Sequence, residues 1–148
     1  MDEIAIWSDA CCPEIANPLT CNQSSFILIT ESGNSMCLKI KNLYLSAELK
    51  RDSMDDVNNF NTDVIVLVEE DDENGSRKKN VKYIASFFTY ANIFELQSHH
   101  IKTGEYLNGK YFYSKNMVLI DNCSIESIQA VVNHLMEEGE FREAFKRL

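Results

Sequence analysis

The chain has 148 residues, of which 45% are hydrophobic and 25% charged, with 23 acidic against 14 basic side chains and a formal charge of -9. That length suits one domain, residues 1–148, large enough to bury a core without a disulfide or metal staple. The negative field repels phosphate backbones, and no apolar run approaches the ~18 residues of a membrane span, so neither nucleic acid nor membrane is an expected partner.

Met1-Asp2-Glu3-Ile4 lacks the basic and apolar regions of a signal peptide. Five irregularly spaced cysteines do not form a secreted disulfide framework. Reduced thiols and a cytoplasmic location are therefore expected. Residues 4–7 predict a short first strand. Across residues 9–22, Pro13 and Pro18 forbid a regular helix and predict a loop holding Cys11, Cys12 and Cys21. Residues 26–30 predict a strand, and Gly33-Asn34 a turn. Met36, Leu38 and Ile40 then alternate with polar neighbours, until the phase reverses at Asn42 and Leu43, Leu45, Ala47 and Leu49 become the inward set. One inserted residue reverses a strand's faces, so a bulge or break near Asn42 is predicted.

Residues 51–62 read as a polar loop, and residues 63–69 as a central strand covered on both faces. Residues 69–79 predict a charged connection with the hairpin dipeptide Asn74-Gly75, and residues 81–89 its partner strand. Residues 91–103 predict a helix carrying Ile93, Leu96 and Ile101, stopped by Gly104. Short strands are expected at residues 111–113 and 117–120. Residues 124–138 give the strongest helix, with Ser124 as cap, Gly139 as stop, and Ile125, Ile128, Val132, Leu135 and Met136 as its apolar stripe. Residues 140–148 predict a last short helix presenting Phe141, Ala144, Phe145 and Leu148 on one face. The fold class is α+β: an antiparallel-rich central sheet with two or three helices packed on it.

Chemistry is sparse. There is no Gly-x-Ser-x-Gly elbow, no phosphate-binding glycine loop and no dinucleotide turn. His99 and His100 are adjacent, so on a helix they point about 100° apart, and solvation or capping is their ordinary reading, as for His134. Cys11-Cys12 and Cys21 lack the spacing of a zinc knuckle. The acidic run Glu69, Glu70, Asp71, Asp72 and Glu73 lacks the ligand order and closing glutamate of a calcium loop. No catalytic residue, metal or cofactor is therefore expected. The acidic run is instead the candidate clamp for a Lys/Arg-rich partner, unless Arg77, Lys78 and Lys79 neutralise it across the hairpin. Tyr106 and Tyr113 are candidate aromatic anchors, with core packing as their alternative reading. Glu137, Glu138, Glu140 and Glu143 form a second acidic set.

The residues from 83 to 148 resemble the C-terminal part of bacterial immunity proteins, the antidotes of polymorphic toxins and of contact-dependent growth inhibition systems. The resemblance lies in Ala85-Ser86-Phe87-Phe88-Thr89-Tyr90-Ala91-Asn92-Ile93, in Thr103-Gly104-Glu105-Tyr106-Leu107-Asn108-Gly109-Lys110-Tyr111-Phe112, in Met117-Val118-Leu119-Ile120-Asp121 and in Leu135-Met136-Glu137-Glu138-Gly139-Glu140-Phe141. It implies a cytosolic inhibitor that binds a cognate toxin domain, such as a basic nuclease, either as a phosphate mimic or beside the substrate groove. Two other readings stay open: a small hydrolase using His99 or His100 with a cysteine and a carboxylate, and a general protein-binding adaptor.

Overall fold

The computed structural model describes residues 5–6, 25–29, 35–45, 56–71 and 77–148. The expected proline-containing loop at 9–22, the turn at Gly33-Asn34, the inward Ala47 and Leu49, and Asn74-Gly75 lie outside the described residues. The fold is α+β. Its strands are β1 (Ala5–Ile6), β2 (Ser25–Ile29), β3 (Ser35–Leu45), β4 (Asn61–Asp71), β5 (Lys78–Thr89), β6 (Met117–Ile120) and β7 (Lys146–Arg147). Its helices are α1 (Tyr90–Thr103), α2 (Glu105–Gly109), α3 (Ile125–Glu137) and α4 (Phe141–Ala144). The sheet runs β1-β2-β3-β4-β5-β6, with β7 also pairing with β5. The pairs through β5 are antiparallel, whereas β6 joins β5 in parallel. A parallel pair needs a crossover, which α1 and the chain after it supply.

The phase reversal read at Asn42 is a register shift. Ile40 pairs with Val68 and Asn42 with Leu67, leaving Lys41 as the extra residue. Leu38 and Ile40 before the shift, and Leu43 and Leu45 after it, thereby serve the same core. In β4, Val64, Val66 and Val68 are fully buried while Ile65 and Leu67 are only half-buried. The expectation of a strand covered on both faces is therefore corrected: an unbroken apolar run also serves one covered face when its alternate members sit on a partly open one.

The covered face is built on β4 and β5. Val81, Tyr83, Ala85 and Phe87 of β5 continue it, opposite Val68, Val66, Val64 and Thr62. Helix α3 contributes Ile128, Val132 and Met136, and Phe141 and Phe145 follow from the C-terminal segment. Tyr83 meets Phe141 edge-on at 5.1 Å, and Phe141 stacks on Phe145 at 4.6 Å. Burial of each such side chain stabilises by about 1.5–3 kcal/mol. Ser124 caps α3 by accepting from the Ser127 amide, as its sequence position implies. Ile125, placed in the inward stripe by spacing alone, is exposed.

Two further expectations need correction. Residues 111–113 form no strand. The last segment is not one helix: α4 stops at Ala144, Phe145 turns extended, and β7 returns to pair with Tyr83 and Ile84. Leu148 is consequently exposed instead of sharing a helical face with Phe141. Among the described residues no helix is long and apolar enough to cross a membrane.

Candidate functional site

The acidic run does not form a loop where it begins. Strand β4 continues through Asp71, and its alternation carries Glu70 onto the covered face after Val68. Glu70 is buried, takes the Tyr83 hydroxyl hydrogen bond, and faces the guanidinium groups of Arg142 at 3.4 Å and Arg147 at 3.7 Å. Glu69, on the opposite face, pairs with Lys41 at 2.9 Å and Lys78 at 3.4 Å. The Lys41 hydrogen bond, followed by the one from Lys78, holds its carboxyl below the usual range against the opposing effect of desolvation. Lys78 thus neutralises part of the run across the hairpin. Both carboxylates, singled out in the sequence as free partner-binding groups, are instead engaged within the fold. Asp71 is half-buried opposite Lys78, while Asp72 and Glu73 lie outside the described residues.

The aromatic candidates fare differently. Tyr106 and Tyr113 are both exposed, Tyr113 to 68%, and other exposed apolar side chains occur on α1 and the segment packed against it. On α1, Tyr90, Phe94 and Ile101 fall within about 40° of one another around the axis. All three are exposed, Phe94 to 69%. Leu107 adds a side chain exposed to 68% and Tyr111 another exposed ring. An apolar side chain left in water this consistently marks an interaction surface more often than a monomeric exterior.

This face has a firm support. Thr89 caps α1 by accepting from the Asn92 amide, and Gly104 ends it in the left-handed region at φ 80°. The chain then stays left-handed: Tyr106, Leu107 and Asn108 have φ of 48°, 52° and 60°, and Gly109 has 71°. Each non-glycine residue there costs on the order of 1–2 kcal/mol. The turn is held by Gln97, which donates from Nε2 to the Gly109 carbonyl at 3.1 Å, and by ring packing. Tyr106 lies 4.4 Å from the buried His100 ring and 5.3 Å from Tyr111. Phe112 stacks with His100 at 6.4 Å and meets Phe88 of β5 at 5.2 Å, which ties the layer to the sheet.

Gly109 is required for this approach. A Cβ there would lie 2.8 Å from Ile101 Cγ1 and 2.9 Å from the Gln97 carbonyl oxygen, on a left-handed backbone. Gly109→Ala is expected to cost about 1–3 kcal/mol and to loosen residues 104–113, read as faster amide exchange in that segment. Gly104→Ala shares the backbone strain, but its nearest contact is at 3.6 Å, so its cost is expected near the lower limit.

Of the cysteines that the anticipated histidine-based site could draw on, only Cys123 has a described side chain. His99 and His134 are exposed on separate helices, whereas His100 is buried, contrary to its reading as a solvated or capping group. Both His99 Nε2 and His100 Nε2 approach Glu105 Oε2, at 4.0 and 3.9 Å. His100 Nδ1 is buried without a hydrogen-bond partner. Among the described residues no group of three His, Cys, Asp or Glu side chains is arranged to hold a metal ion. Cys123, before α3, points its thiol at the Phe60 carbonyl at 3.7 Å, and burial pushes that thiol up to about 11. It therefore stays protonated and a poor nucleophile near neutral pH. Timed iodoacetamide labelling with peptide mass mapping should find Cys123 modified only at the rate of global unfolding. Rapid native labelling would place it at the surface.

Sequence spacing contained one signal for this face that composition hid. Ile93, Leu96 and His100 occupy one arc of α1, and Tyr90, Phe94 and Ile101 occupy a second arc roughly 110° away. Grouping Ile101 with Ile93 and Leu96 mixes the two arcs and leaves Phe94 unnoticed. Compared with family models, curated proteins and solved structures, the chain matches none.

Proposed function

We propose that this chain is an immunity-type protein: a non-catalytic domain that binds and neutralises a cognate toxin domain through the exposed aromatic face of α1 and residues 104–113. The observation that carries the proposal is the set of exposed apolar side chains on α1 and residues 104–113, Phe94, Leu107 and Tyr113 among them, in a segment braced by the His100–Tyr106–Phe112 layer. Rigid aromatic and aliphatic anchors ringed by polar groups are the usual source of interface affinity. The resemblance to immunity proteins read in the sequence of residues 83–148 points to a toxin as partner, and the charge of -9 favours a basic one, such as a nuclease. The face is not acidic, since residues 90–116 hold Glu95 and Glu105 against Lys102, Lys110 and Lys115. Contact beside the toxin's substrate groove therefore fits better than phosphate mimicry, with the overall field acting mainly on encounter rate.

The test is a pull-down from the native cytoplasm with the intact chain as bait, read by mass, followed by an activity assay of the captured protein. The reading expects a one-to-one complex with a toxin domain whose activity the bait suppresses. A captured partner with no toxic activity would make the chain a general adaptor and remove the immunity reading. Substrate turnover by the purified chain, lost on replacing His100, would remove both.

A further inference from the structure

Asn108 and Gly109 form an Asn-Gly pair at the end of the left-handed turn. In such a pair the asparagine side chain is open to attack by its own main chain, because the glycine that follows carries no side chain to hinder its amide nitrogen. Attack closes a succinimide ring. It needs the Gly109 nitrogen and the Asn108 Cβ on the same side of the Asn108 Cα–C bond. Asn108 has φ 60° and ψ 44°. At that ψ an L-residue holds the next nitrogen nearly opposite its Cβ, so the ring cannot close while the turn is intact. The surroundings keep the backbone from rotating out of this geometry. Gly109 is buried, and the position of a Cβ on it lies 2.8 Å from Ile101 Cγ1 and 2.9 Å from the Gln97 carbonyl oxygen. Its carbonyl accepts from Gln97 Nε2, and the Lys110 amide donates to the Tyr106 carbonyl. Asn108 itself is exposed to water.

From this geometry we infer that Asn108 is a deamidation site gated by the turn, silent while residues 106–109 stay left-handed and reactive when they open. In the open chain the Gly109 nitrogen bonds to Asn108 Cγ and the Cγ–Nδ2 bond breaks. Ammonia leaves, taking up the proton that the Gly109 nitrogen gives up. Water then opens the succinimide at one of its two carbonyls. Opening at Cγ gives aspartate, and opening at the main-chain carbonyl gives isoaspartate, in which the chain runs through Cβ and Cγ. Aspartate accepts the left-handed region and lets the turn re-form. Isoaspartate adds a carbon to the main chain and cannot restore the close approach of Gly109 to Ile101 and Gln97. Opening followed by that product is one-way, and it takes the Tyr106 brace away from His100. Where opening and closing are fast relative to ring closure, the rate follows the population of the open turn. The site does not depend on which partner the protein binds.

The test is incubation of the full chain at mildly alkaline pH, native and in denaturing guanidinium chloride, with timed tryptic mapping. The peptide Thr103–Lys110 holds Asn108 as its one asparagine, and the pair Asn74-Gly75 falls in a different peptide. Conversion at Asn108 is expected to be at least about tenfold faster in the unfolded chain than in the native one. Gln97→Ala, which removes the side-chain bond to the Gly109 carbonyl, should speed the native reaction about threefold or more. Asn108→Asp should keep the wild-type amide exchange of residues 104–113. The isoaspartate form, separated by chromatography, should exchange faster there. If Gln97→Ala does not fold, the native-to-unfolded comparison and the exchange of the two products decide the matter. Equal rates in the native and unfolded wild type overturn the proposal, as does an unfolded chain in which Asn108 does not convert. So does an isoaspartate form whose residues 104–113 exchange as in the wild type.

Discussion

Glu70→Ala is expected to lower unfolding stability by about 2–4 kcal/mol in urea titrations followed by circular dichroism. The carboxylate is buried, and its removal takes the acceptor from the Tyr83 hydroxyl and a counter-charge from the Arg142 and Arg147 guanidinium groups. Breaking one side of a fully buried ion pair costs about 3–5 kcal/mol. The lower figure applies because the Arg142 and Arg147 side chains are 32% and 54% exposed and recover some hydration. The same cluster joins the end of β4 to α4 and β7, so the loss should appear first as exchange of amides in residues 141–147. A mid-transition shift under 0.5 kcal/mol would return Glu70 to the role of a surface acid.

The cluster also has an alkaline signature. Burial pushes the Tyr83 phenol up to about 12, with the Glu70 carboxylate adding to the effect. An acid whose folded pKa is raised binds its proton more tightly in the fold than in the unfolded chain. Its contribution is complete below the ordinary tyrosine range near 10 and is lost as pH climbs toward 12. Glu69 behaves in the opposite sense: its lowered pKa gives stability that is present above the ordinary carboxylate range and lost on acidification.

The second large effect is on binding. Phe94→Asp combined with Leu107→Asp is expected to weaken the captured partner's binding at least 100-fold in calorimetric titration, with the melting temperature nearly unchanged. Both side chains are more than two-thirds exposed, so little folding energy rests on them. Each anchor at an interface centre is worth about 2 kcal/mol or more, and two independent ones give about a thousandfold. At Leu107 the backbone φ is 52°, a region aspartate accepts more readily than leucine, so that change should not unsettle the turn. Retained affinity in the double variant would place the interface elsewhere.

How much of this was legible depended on how local the cause was. The shift at Asn42 was readable because a strand's inward set must change parity when a residue is inserted, and Leu38, Ile40, Leu43 and Leu45 record that change. The caps at Ser124 and Gly104 are local hydrogen bonding and backbone freedom, and they sit where the residue types place them. Glu70 was misread because five consecutive carboxylates look like a solvated loop. Its compensation comes from Arg142, 72 positions away, which no local pattern reveals. Yet the period of two running Val64, Val66, Val68 and Glu70 already pointed inward. The final helix was overextended because Phe141, Ala144, Phe145 and Leu148 match a helical spacing that strand pairing at Tyr83 overrides. The left-handed turn was least legible. Tyr106 and Leu107 disfavour that backbone, and ring packing on His100 and Tyr111 together with the Gln97 bond to the Gly109 carbonyl holds it.

The central claim is that the exposed face of α1 and residues 104–113 is where this protein meets its partner. Hydrogen–deuterium exchange of the complex against the free chain measures that most directly. Slowed exchange concentrated in residues 90–113, with the amides of α3 unaltered, is the outcome the account requires. Protection confined to other segments, with residues 90–113 exchanging as in the free protein, would contradict it.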